Sequence, residues 1–366
     1  MNTKHRKIAF FTPSVSKYSE SFIQAHITGL EGEVDVFHDG EMPIQKNGVV
    51  FHQPGVWDHR FQKAMGNKHH TKEQLALYRA LKRGQYQMAF VEYGTTAARV
   101  FSTLQMLHIP MVVHFHGFDI SMRNVIEKNA KVYRDIFNYA KLIIVVSREM
   151  EQRVIDLGCP AQKILYNPCG ANGIFEKVVS KGNLNTFLSV GRFVEKKGPL
   201  YTIMAFHQLL LNGHQANLRL IGDGPLKELC EDYVMTHGLS DNVSFLGIKS
   251  ANEIADEMAN ATCYVQHSIT AASGDQEGTP VSILEAMLAG LPVISTQHGG
   301  IKDVVGKNCG VLVPEKDAKA MALAMQDCII HPNQFQEMGA AARNYVSNHH
   351  TLELHLKRMN TAIAAL

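Results

Sequence analysis

Short apolar runs alternate with longer amphipathic stretches along nearly the whole chain. The first run is Lys7–Phe11 (Lys-Ile-Ala-Phe-Phe), and an amphipathic stretch from Ser19 to Leu30 follows it. A short apolar run is typical of a strand buried on both faces, and apolar residues recurring every three or four positions are typical of a helix. Further strands are predicted at 34–37, 88–92, 111–115 and 142–146, further helices at 71–83, 95–108, 123–139 and 148–157, and an irregular stretch at 40–70.

A second alternation begins after residues 172–185, which are rich in Gly, Asn and Lys and form the best candidate for a linker. Strands separated by single helices form parallel sheets with helices on both faces. The pattern predicts an α/β protein made of two Rossmann-like, doubly wound domains that face each other across a cleft. The strands of the second domain are predicted at 186–190, 218–221, 243–246, 263–265, 292–295 and 310–313.

The length and composition agree with two domains. The 366 residues are too many for one ordinary core, and 45% apolar residues suffice to build two. We assign residues 1–175 to the N-terminal domain and 176–345 to the C-terminal domain. The last helix, in 346–366, is expected to return to the N-terminal domain.

Several classes of protein are disfavoured by the composition. No apolar run reaches the roughly 18 residues of a membrane span, and the first residues are polar and lead directly into a strand. The six cysteines form no Cys-x-x-Cys pair, which argues against a zinc ribbon and favours reduced, buried thiols. A cytoplasmic location is therefore expected.

The stretch from Gly274 to Met287 has the features of an anion site. Thr279 is a good N-cap and Pro280 a good first helical residue, so backbone N–H groups are expected to face the preceding loop. Glu277 lies in that loop and Glu285 in the helix. Ionised carboxylates accept hydrogen bonds from sugar hydroxyls, so the expected ligand carries phosphate between two polyols, as a nucleotide-diphosphate sugar does. The alternative is an ordinary helix start with two solvated glutamates.

Two further glycine turns follow predicted strands of the second domain. In the turn that begins at Gly191, Arg192 can fork onto two phosphate oxygens and Lys197 can supply a point charge. The turn from Gly222 to Gly224 is a weaker signal, because such turns also serve close packing. The alternative for the first turn is a solvated basic loop.

Two histidines mark the corresponding edge of the first domain. His114 and His116 alternate along a predicted strand and should share a face, and Gly117 follows them. His116 is the preferred functional candidate because it lies at the strand exit. A structural histidine is the alternative, and zinc would need ligands at spacings that the sequence does not show.

Together these motifs resemble glycosyltransferase family 4, a retaining family of GT-B fold. The resemblance is carried by Gly191-Arg192 with Lys197-Gly198, by Gly222-Asp-Gly-Pro225, by the Glu277 to Glu285 motif and, more loosely, by His116-Gly-Phe-Asp119 and Asn167-Pro-Cys-Gly170. It implies that Arg192 and Lys197 contact the donor diphosphate, Glu285 the ribose and Glu277 the transferred sugar. The implied donor-binding set is completed by Gly191, Gly222, Gly224, Gly278, Thr279 and Pro280.

The resemblance also implies roles in the first domain. His116 would lie near the reacting face of the sugar and join Glu277, Arg192 and Lys197 as the catalytic group, and Ser19, Glu20, His116 and Asp119 would form the acceptor side. The segment Ser19-Glu-Ser-Phe-Ile23 resembles the Ser-Glu-Thr-Phe-Ile loop of bacterial exopolysaccharide and lipopolysaccharide enzymes. That likeness implies a role in surface polysaccharide synthesis.

The implied activity is transfer of a hexose-type sugar from a UDP- or GDP-sugar to a glycan or lipid-linked acceptor, with no cofactor and no nucleic-acid partner. We expect metal independence, because no Asp-x-Asp motif lies in a suitable place. Three alternatives stay open: a transferase for a small soluble acceptor, a sugar-nucleotide epimerase, and a non-catalytic nucleotide-sugar-binding scaffold.

The charge distribution predicts contact with an anionic membrane. Residues 1–170 carry 21 Lys+Arg and 15 Asp+Glu, whereas residues 171–366 carry 15 and 19. The first half should bind anionic liposomes at low ionic strength, at roughly 1 kcal/mol per well-placed cation, and release them as salt rises. Co-sedimentation of the wild type and of a variant with Lys72, Arg79, Lys82 and Arg83 neutralised measures this. Equal binding of the two proteins would identify the helix as a solvated face.

Overall fold

The computed structural model describes residues 6–15, 21–40, 42–51, 72–181 and 185–366. The chain forms two compact units. The first comprises Met1–Val146, Met150–Asn167 and Leu356–Leu366, and the second comprises Ser147–Glu149 and Pro168–His355. The C-terminal segment thus belongs to the first unit although it follows the second along the chain.

An eight-stranded sheet forms the centre of the first unit, in the order β4-β3-β2-β1-β5-β6-β7-β8. Strands β2, β1 and β5 to β8 are parallel, and the order reverses between β1 and β5. The strands are β1 Lys7–Phe11, β2 Glu33–His38, β3 Gln45–Lys46, β4 Val49–Val50, β5 Met88–Glu92, β6 Met111–His114, β7 Leu142–Val145 and β8 Ile164–Tyr166.

The stretch predicted to be irregular contains a small antiparallel hairpin, β3 and β4, at the edge of this sheet. Asn47 (φ 49°) and Gly48 (φ 77°) form its two-residue turn, and both adopt the positive φ that this turn requires. The Asn-Gly pair was the signal in the sequence, but two-residue strands are too short to show a period. Residues 52–71, which include Trp57, lie outside the described residues.

Helices cover the first sheet, and the C-terminal helix completes its core. Met359 and Ile363 of that helix are buried among Phe10, Phe90 and their neighbours, and Asn360 Nδ2 donates to the Gly29 carbonyl over 2.8 Å. The helices in the first part of the chain are α1 Ser21–Gly29, α2 Lys72–Gly84, α3 Gly94–Met106, α4 Phe118–Ser121, α5 Arg123–Tyr139 and α6 Arg148–Asp156.

A six-stranded parallel sheet forms the centre of the second unit, in the order β11-β10-β9-β12-β13-β14. Its strands are apolar and covered on both faces, by separate clusters that include Leu188 and Phe187 respectively. All six cysteines of the chain are buried and free, as predicted. The strands are β9 Thr186–Val190, β10 Asn217–Ile221, β11 Val243–Phe245, β12 Cys263–Val265, β13 Val293–Thr296 and β14 Gly310–Val313.

The helices of the second unit lie between its strands, and two more follow the last strand. In the described ranges, no helix combines the length and the apolarity needed to cross a bilayer. The helices are α7 Pro199–Leu211, α8 Lys227–Thr236, α9 Ala251–Ala259, α10 Val281–Leu288, α11 Ile301–Val304, α12 Ala318–Ile330, α13 Pro332–His349 and α14 Leu352–Ala364, the last of which continues into the first unit.

The strand order indicates where a ligand site is expected in each unit. In an open parallel sheet, ligands bind beyond the carboxyl ends of the strands, where the order reverses. The reversal lies between β1 and β5 in the first sheet and between β9 and β12 in the second. The loops that leave β9 and β12 contain the Arg192 turn and the Glu277 stretch.

Gly198, which precedes helix α7, gives a test of this loop geometry. Its φ is +53°, and an added Cβ would lie 1.9 Å from the His267 carbonyl oxygen. Gly238 also has a positive φ, +66°, but an added Cβ there meets nothing within 4 Å. Gly198→Ala should therefore combine backbone strain with a clash and lower the free energy of unfolding by about 3 kcal/mol, against about 1 kcal/mol for Gly238→Ala. Urea unfolding of both variants measures this, and equal losses would contradict it.

Candidate active site

The first two glycine turns of the second unit pack directly against each other. Gly222 has φ +134°, and an added Cβ would lie 2.0 Å from the Gly191 carbonyl oxygen. At Gly224 the added Cβ would lie 2.7 Å from the Phe193 carbonyl oxygen. The close approach of two backbones thus accounts for Gly222 and Gly224, which the sequence analysis had assigned to donor binding.

Arg192 and Lys197, on the turn after β9, differ in their surroundings. Arg192 is exposed, and its guanidinium makes no hydrogen bond or ion pair with any residue in the described ranges. The Lys197 ammonium lies 3.0 Å from Glu277 Oε2. The turn therefore exposes the guanidinium of Arg192 beside the ammonium of Lys197, which is paired with the Glu277 carboxylate.

The predicted N-cap of helix α10 is wrong. The helix begins at Val281, one residue later than predicted, and Pro280 occupies the N-cap position without a side-chain cap. The Thr279 hydroxyl instead accepts the Cys169 N–H over 3.1 Å. Pro280 has no N–H to donate, so any contribution it makes to anion binding is conformational.

The Glu277 carboxylate is buried and held ready for a hydrogen-bond donor. Its Oε2 pairs with Lys197, whereas its Oε1 is buried with no hydrogen-bond partner among the described residues. Burial by itself would raise the pKa of Glu277, but the charges of Lys197 and Lys196 outweigh burial and lower it. The carboxylate is thus ionised at neutral pH, with one oxygen that lacks the hydrogen bond a buried acceptor requires.

The backbone of Glu277 is fixed by the turn that follows β13. Its N–H donates to His298 Nε2 over 3.0 Å, so the proton of this imidazole lies on Nδ1, which donates to Glu315 Oε1 over 2.6 Å. Gly299 and Gly300 pack so closely that added Cβ atoms would lie 2.5 Å from the Glu277 oxygen and 1.8 Å from the Gly278 oxygen. The contact of this turn with the Glu277 backbone was not predicted, although the sequence shows His298-Gly-Gly300 shortly after a predicted strand.

Glu285, one turn into helix α10, has the opposite electrostatic environment. Its side chain is half-buried, and burial raises the pKa of its carboxyl to about 8. No cation among the described residues offsets that burial. Glu285 is therefore largely protonated at neutral pH, whereas Glu277 is ionised.

In the first unit, the exits of β5 and β6 gather a buried carboxylate and three imidazoles. Glu92 Oε2 lies 2.5 Å from His116 Nε2 and 3.5 Å from His114 Nδ1, and Glu92 Oε1 lies 2.6 Å from His26 Nδ1. The predicted shared face of His114 and His116 is confirmed, since their ring centroids are 4.1 Å apart. Glu92 and His26 were not identified from the sequence.

Asp119, predicted on the acceptor side, is fully buried and turned into the protein. Its carboxylate accepts the N–H groups of Gly94 at 2.9 Å, His116 at 3.1 Å and Gly117 at 3.0 Å. Asp119 therefore fixes the backbone around His116 and Gly117. The prediction that it contacts the acceptor directly is wrong, because its carboxylate is buried and already bonded to backbone N–H groups. The other acceptor-side residues, Ser19 and Glu20, lie outside the described residues.

Comparison with known proteins identifies the family. The family described as glycosyltransferase family 4 matches residues 25–172, and the one described as glycosyl transferases group 1 matches residues 172–345. The two matches meet at residue 172 and together span residues 25–345. The chain belongs to the family 4 glycosyltransferases of GT-B fold.

Two curated relatives and one solved structure illustrate the likeness. The amylovoran biosynthesis glycosyltransferase AmsK of Erwinia amylovora is 35% identical over 63% of this chain and 58% of its own length. The putative colanic acid biosynthesis glycosyltransferase WcaL of Salmonella typhimurium is 34% identical over 64% and 58%. The match thus spans less than two thirds of these relatives. The crystal structure of Anabaena HepE in complex with UDP-glucose superposes with a TM-score of 0.81, at 19% identity over 99% of this chain and 100% of HepE.

Proposed function

We propose that this protein is a retaining glycosyltransferase that moves a hexose-type sugar from a UDP- or GDP-sugar to a glycan or lipid-linked acceptor in bacterial surface polysaccharide synthesis. The observation that carries the proposal is the Glu277 carboxylate, which is buried, ionised and left with one unpartnered oxygen beside Lys197. A sugar hydroxyl is a donor suited to that oxygen. The names of AmsK and WcaL support the polysaccharide role, and the HepE complex supports a nucleotide-sugar donor.

In the proposed reaction, the bond between the anomeric carbon and the diphosphate oxygen breaks while the acceptor oxygen bonds to the same face of that carbon. The acceptor proton passes to the leaving phosphate oxygen, so no protein nucleophile is needed. Negative charge builds on the diphosphate as its bond breaks, and fixed cations stabilise that charge. Arg192 would fork onto the phosphate oxygens, and Lys197 would share its ammonium between the phosphate and Glu277.

We propose that neither a metal ion nor an organic cofactor takes part. Arg192 and Lys197 place two cationic groups on one turn, and these would stabilise a diphosphate without a metal ion. The amides of Gly278 and Thr279 would add neutral donors around the diphosphate, whereas the Gly191 N–H already donates to the Ile221 carbonyl over 2.9 Å. Glu285 would accept the ribose hydroxyls.

The first unit would serve the acceptor and the membrane. His116 is the proposed group at the reacting sugar, and the loop with Ser19 and Glu20 is proposed for the acceptor. Helix α2 has Leu75, Leu77 and Leu81 buried in the unit, while Lys82 and Arg83 are exposed. The apolar side of helix α2 is therefore buried in the unit and cannot enter a bilayer. Contact with the inner face of the plasma membrane would accordingly be electrostatic and sensitive to salt.

Arg192→Ala tests the diphosphate clamp. Removal of a forked donor to developing charge costs about 2–4 kcal/mol of transition-state stabilisation, so kcat/KM should fall on the order of 10²- to 10³-fold with little loss of folding stability. Lys319→Ala, which removes an exposed cation from helix α12 of the same unit, should leave kcat/KM unchanged. The assay follows release of nucleoside diphosphate from a panel of nucleotide sugars. Near-normal transfer by a folded Arg192→Ala protein would place the site elsewhere. Donor binding by the wild type without any turnover would favour the scaffold alternative.

The two glutamates should separate nucleotide from sugar recognition. Glu285 is largely protonated in the free protein because burial raises its pKa to about 8, whereas two ribose hydroxyls would favour its ionised form. Nucleoside diphosphate binding should therefore release a proton at pH 7, and its affinity should rise with pH up to about 8. Calorimetry in buffers of different ionisation enthalpy measures the proton.

Matched variants complete this test. Glu285→Gln should abolish the proton release and weaken binding of the nucleoside diphosphate and the full donor alike. Glu277→Gln should weaken only the full donor, because its carboxylate is assigned to the sugar. Equal losses from the two variants for the free nucleotide would contradict the assignment.

A further inference from the structure

We propose that Glu92 is a positioning residue for the transfer reaction, because its carboxylate holds the His116 ring in one orientation and one tautomer, with the proton on Nε2. This inference rests on the proposed role of His116 at the reacting sugar. It assigns a role to Glu92 and His26, neither of which belongs to the proposed donor-binding set.

The first step concerns the charge of Glu92. Its side chain is completely buried at the end of β5, beside the point where the strand order reverses. Among the described residues, the groups in contact with the carboxylate are the imidazoles of His26, His114 and His116. Burial alone would raise the pKa of Glu92, but His26 and then His116 lower it to about 2. The carboxylate is therefore ionised at neutral pH.

The second step fixes the tautomer of His116. An ionised carboxylate can only accept hydrogen bonds, so the imidazole nitrogen that lies 2.5 Å from it must carry a hydrogen. That nitrogen is Nε2, and the bond determines which ring nitrogen is protonated. On the other oxygen of Glu92, His26 Nδ1 donates in the same way over 2.6 Å and keeps the carboxylate from rotating.

The third step concerns the freedom of the His116 ring. Its centroid lies 4.6 Å from that of Phe22, 4.7 Å from that of Tyr93 and 4.1 Å from that of His114. The backbone N–H of His116 donates to Asp119. Among the described residues, the ring packs against Phe22, Tyr93 and His114, and Glu92 supplies a directional bond that selects one ring orientation within that packing.

The distances favour hydrogen bonds over a metal site. His26, Glu92 and His114 are close enough to suggest metal ligands, since their donor atoms lie within 4.8 Å of one another. Two ligands of a tetrahedral zinc ion are separated by about 3.3 Å, because each lies 2.0–2.1 Å from the metal. The contacts of Glu92 with His26 and His116, at 2.6 and 2.5 Å, are shorter and leave no space for an ion between those atoms.

The wild-type protein provides the first test, which needs no folded variant at Glu92. Long-range ¹H–¹⁵N correlation spectra of ¹⁵N-histidine-labelled protein should show His116 protonated on Nε2 and His26 on Nδ1 at pH 7. The spectrum of His116→Gln assigns the His116 signals. A His116 ring protonated only on Nδ1 would overturn the proposal.

The second test compares Glu92→Gln with Glu33→Gln. Glu92→Gln keeps the size but replaces the ionised acceptor, so the His116 signals should show a mixture of tautomers. kcat should fall on the order of 10- to 100-fold, by analogy with the loss of a carboxylate that orients a metal-bound histidine. The dissociation constant for nucleoside diphosphate should stay within twofold, because those contacts are proposed in the second unit. Glu33, which pairs with Lys7 on the surface of the same unit, provides the control that removes an equal charge and should change neither quantity.

The outcomes separate this inference from the proposed function. If His116→Gln retains full transfer, the assigned role of His116 fails, and the positioning role fails with it. If His116→Gln loses transfer while Glu92→Gln keeps both kcat and the wild-type tautomer, only the positioning role is overturned. Titration with Co²⁺ gives a last check, because a stoichiometric visible spectrum that disappears in Glu92→Gln would make the cluster a metal site and overturn the hydrogen-bonded interpretation.

Discussion

The site in the second unit depends on the ion pair between Lys197 and Glu277. The two residues are 80 positions apart in the chain, and their side chains meet because β9 and β12 are neighbours at the point where the strand order reverses. A buried carboxylate without a partner takes up a proton or costs several kcal/mol. Lys197 removes that penalty, and the His298 turn then fixes the backbone from which Glu277 projects. The orphan oxygen of Glu277 is therefore held in place by covalent and hydrogen-bonded structure before any ligand arrives.

Glu277 and Glu285 show how one helix start produces two chemically different carboxyl groups. Lysine charges keep Glu277 ionised, whereas burial without a cation raises the pKa of Glu285. The ionised group is an acceptor prepared in advance, so a sugar hydroxyl that meets it need not displace a proton. The protonated group carries an O–H donor, and both of its oxygens become free to accept hydroxyls only after that proton is lost. In the proposed complex, binding at Glu285 is therefore coupled to pH, whereas binding at Glu277 is coupled to the position of Lys197.

The sequence predicted the elements better than it predicted the contacts between them. Strands such as Thr186–Val190 were located to the residue, since a strand covered on both faces leaves an unbroken apolar run. The cap at Thr279 was wrong because its hydroxyl bonds to Cys169, 110 positions earlier, and no local pattern contains that information. Glu92 and His26 were missed for a related reason. Their pairing requires knowledge that helix α1 and strand β5 bring them together across 66 positions.

Each unit thus places a buried glutamate near the reversal in strand order, Glu92 at the end of β5 and Glu277 in the loop after β12, but the partner differs. An ammonium is a point charge on a flexible stem, so its attraction tolerates displacement, and Lys197 can turn toward a phosphate without leaving Glu277 uncompensated. An imidazole N–H is directional, and its bond to a carboxylate determines both the ring orientation and the tautomer. Lysine therefore suits a carboxylate whose partner must be shared with a ligand. The histidines around Glu92 suit a carboxylate whose task is to keep a neighbouring ring still. In the proposed reaction, Lys197 is accordingly shared between a carboxylate and the diphosphate, whereas Glu92 keeps His116 in one orientation.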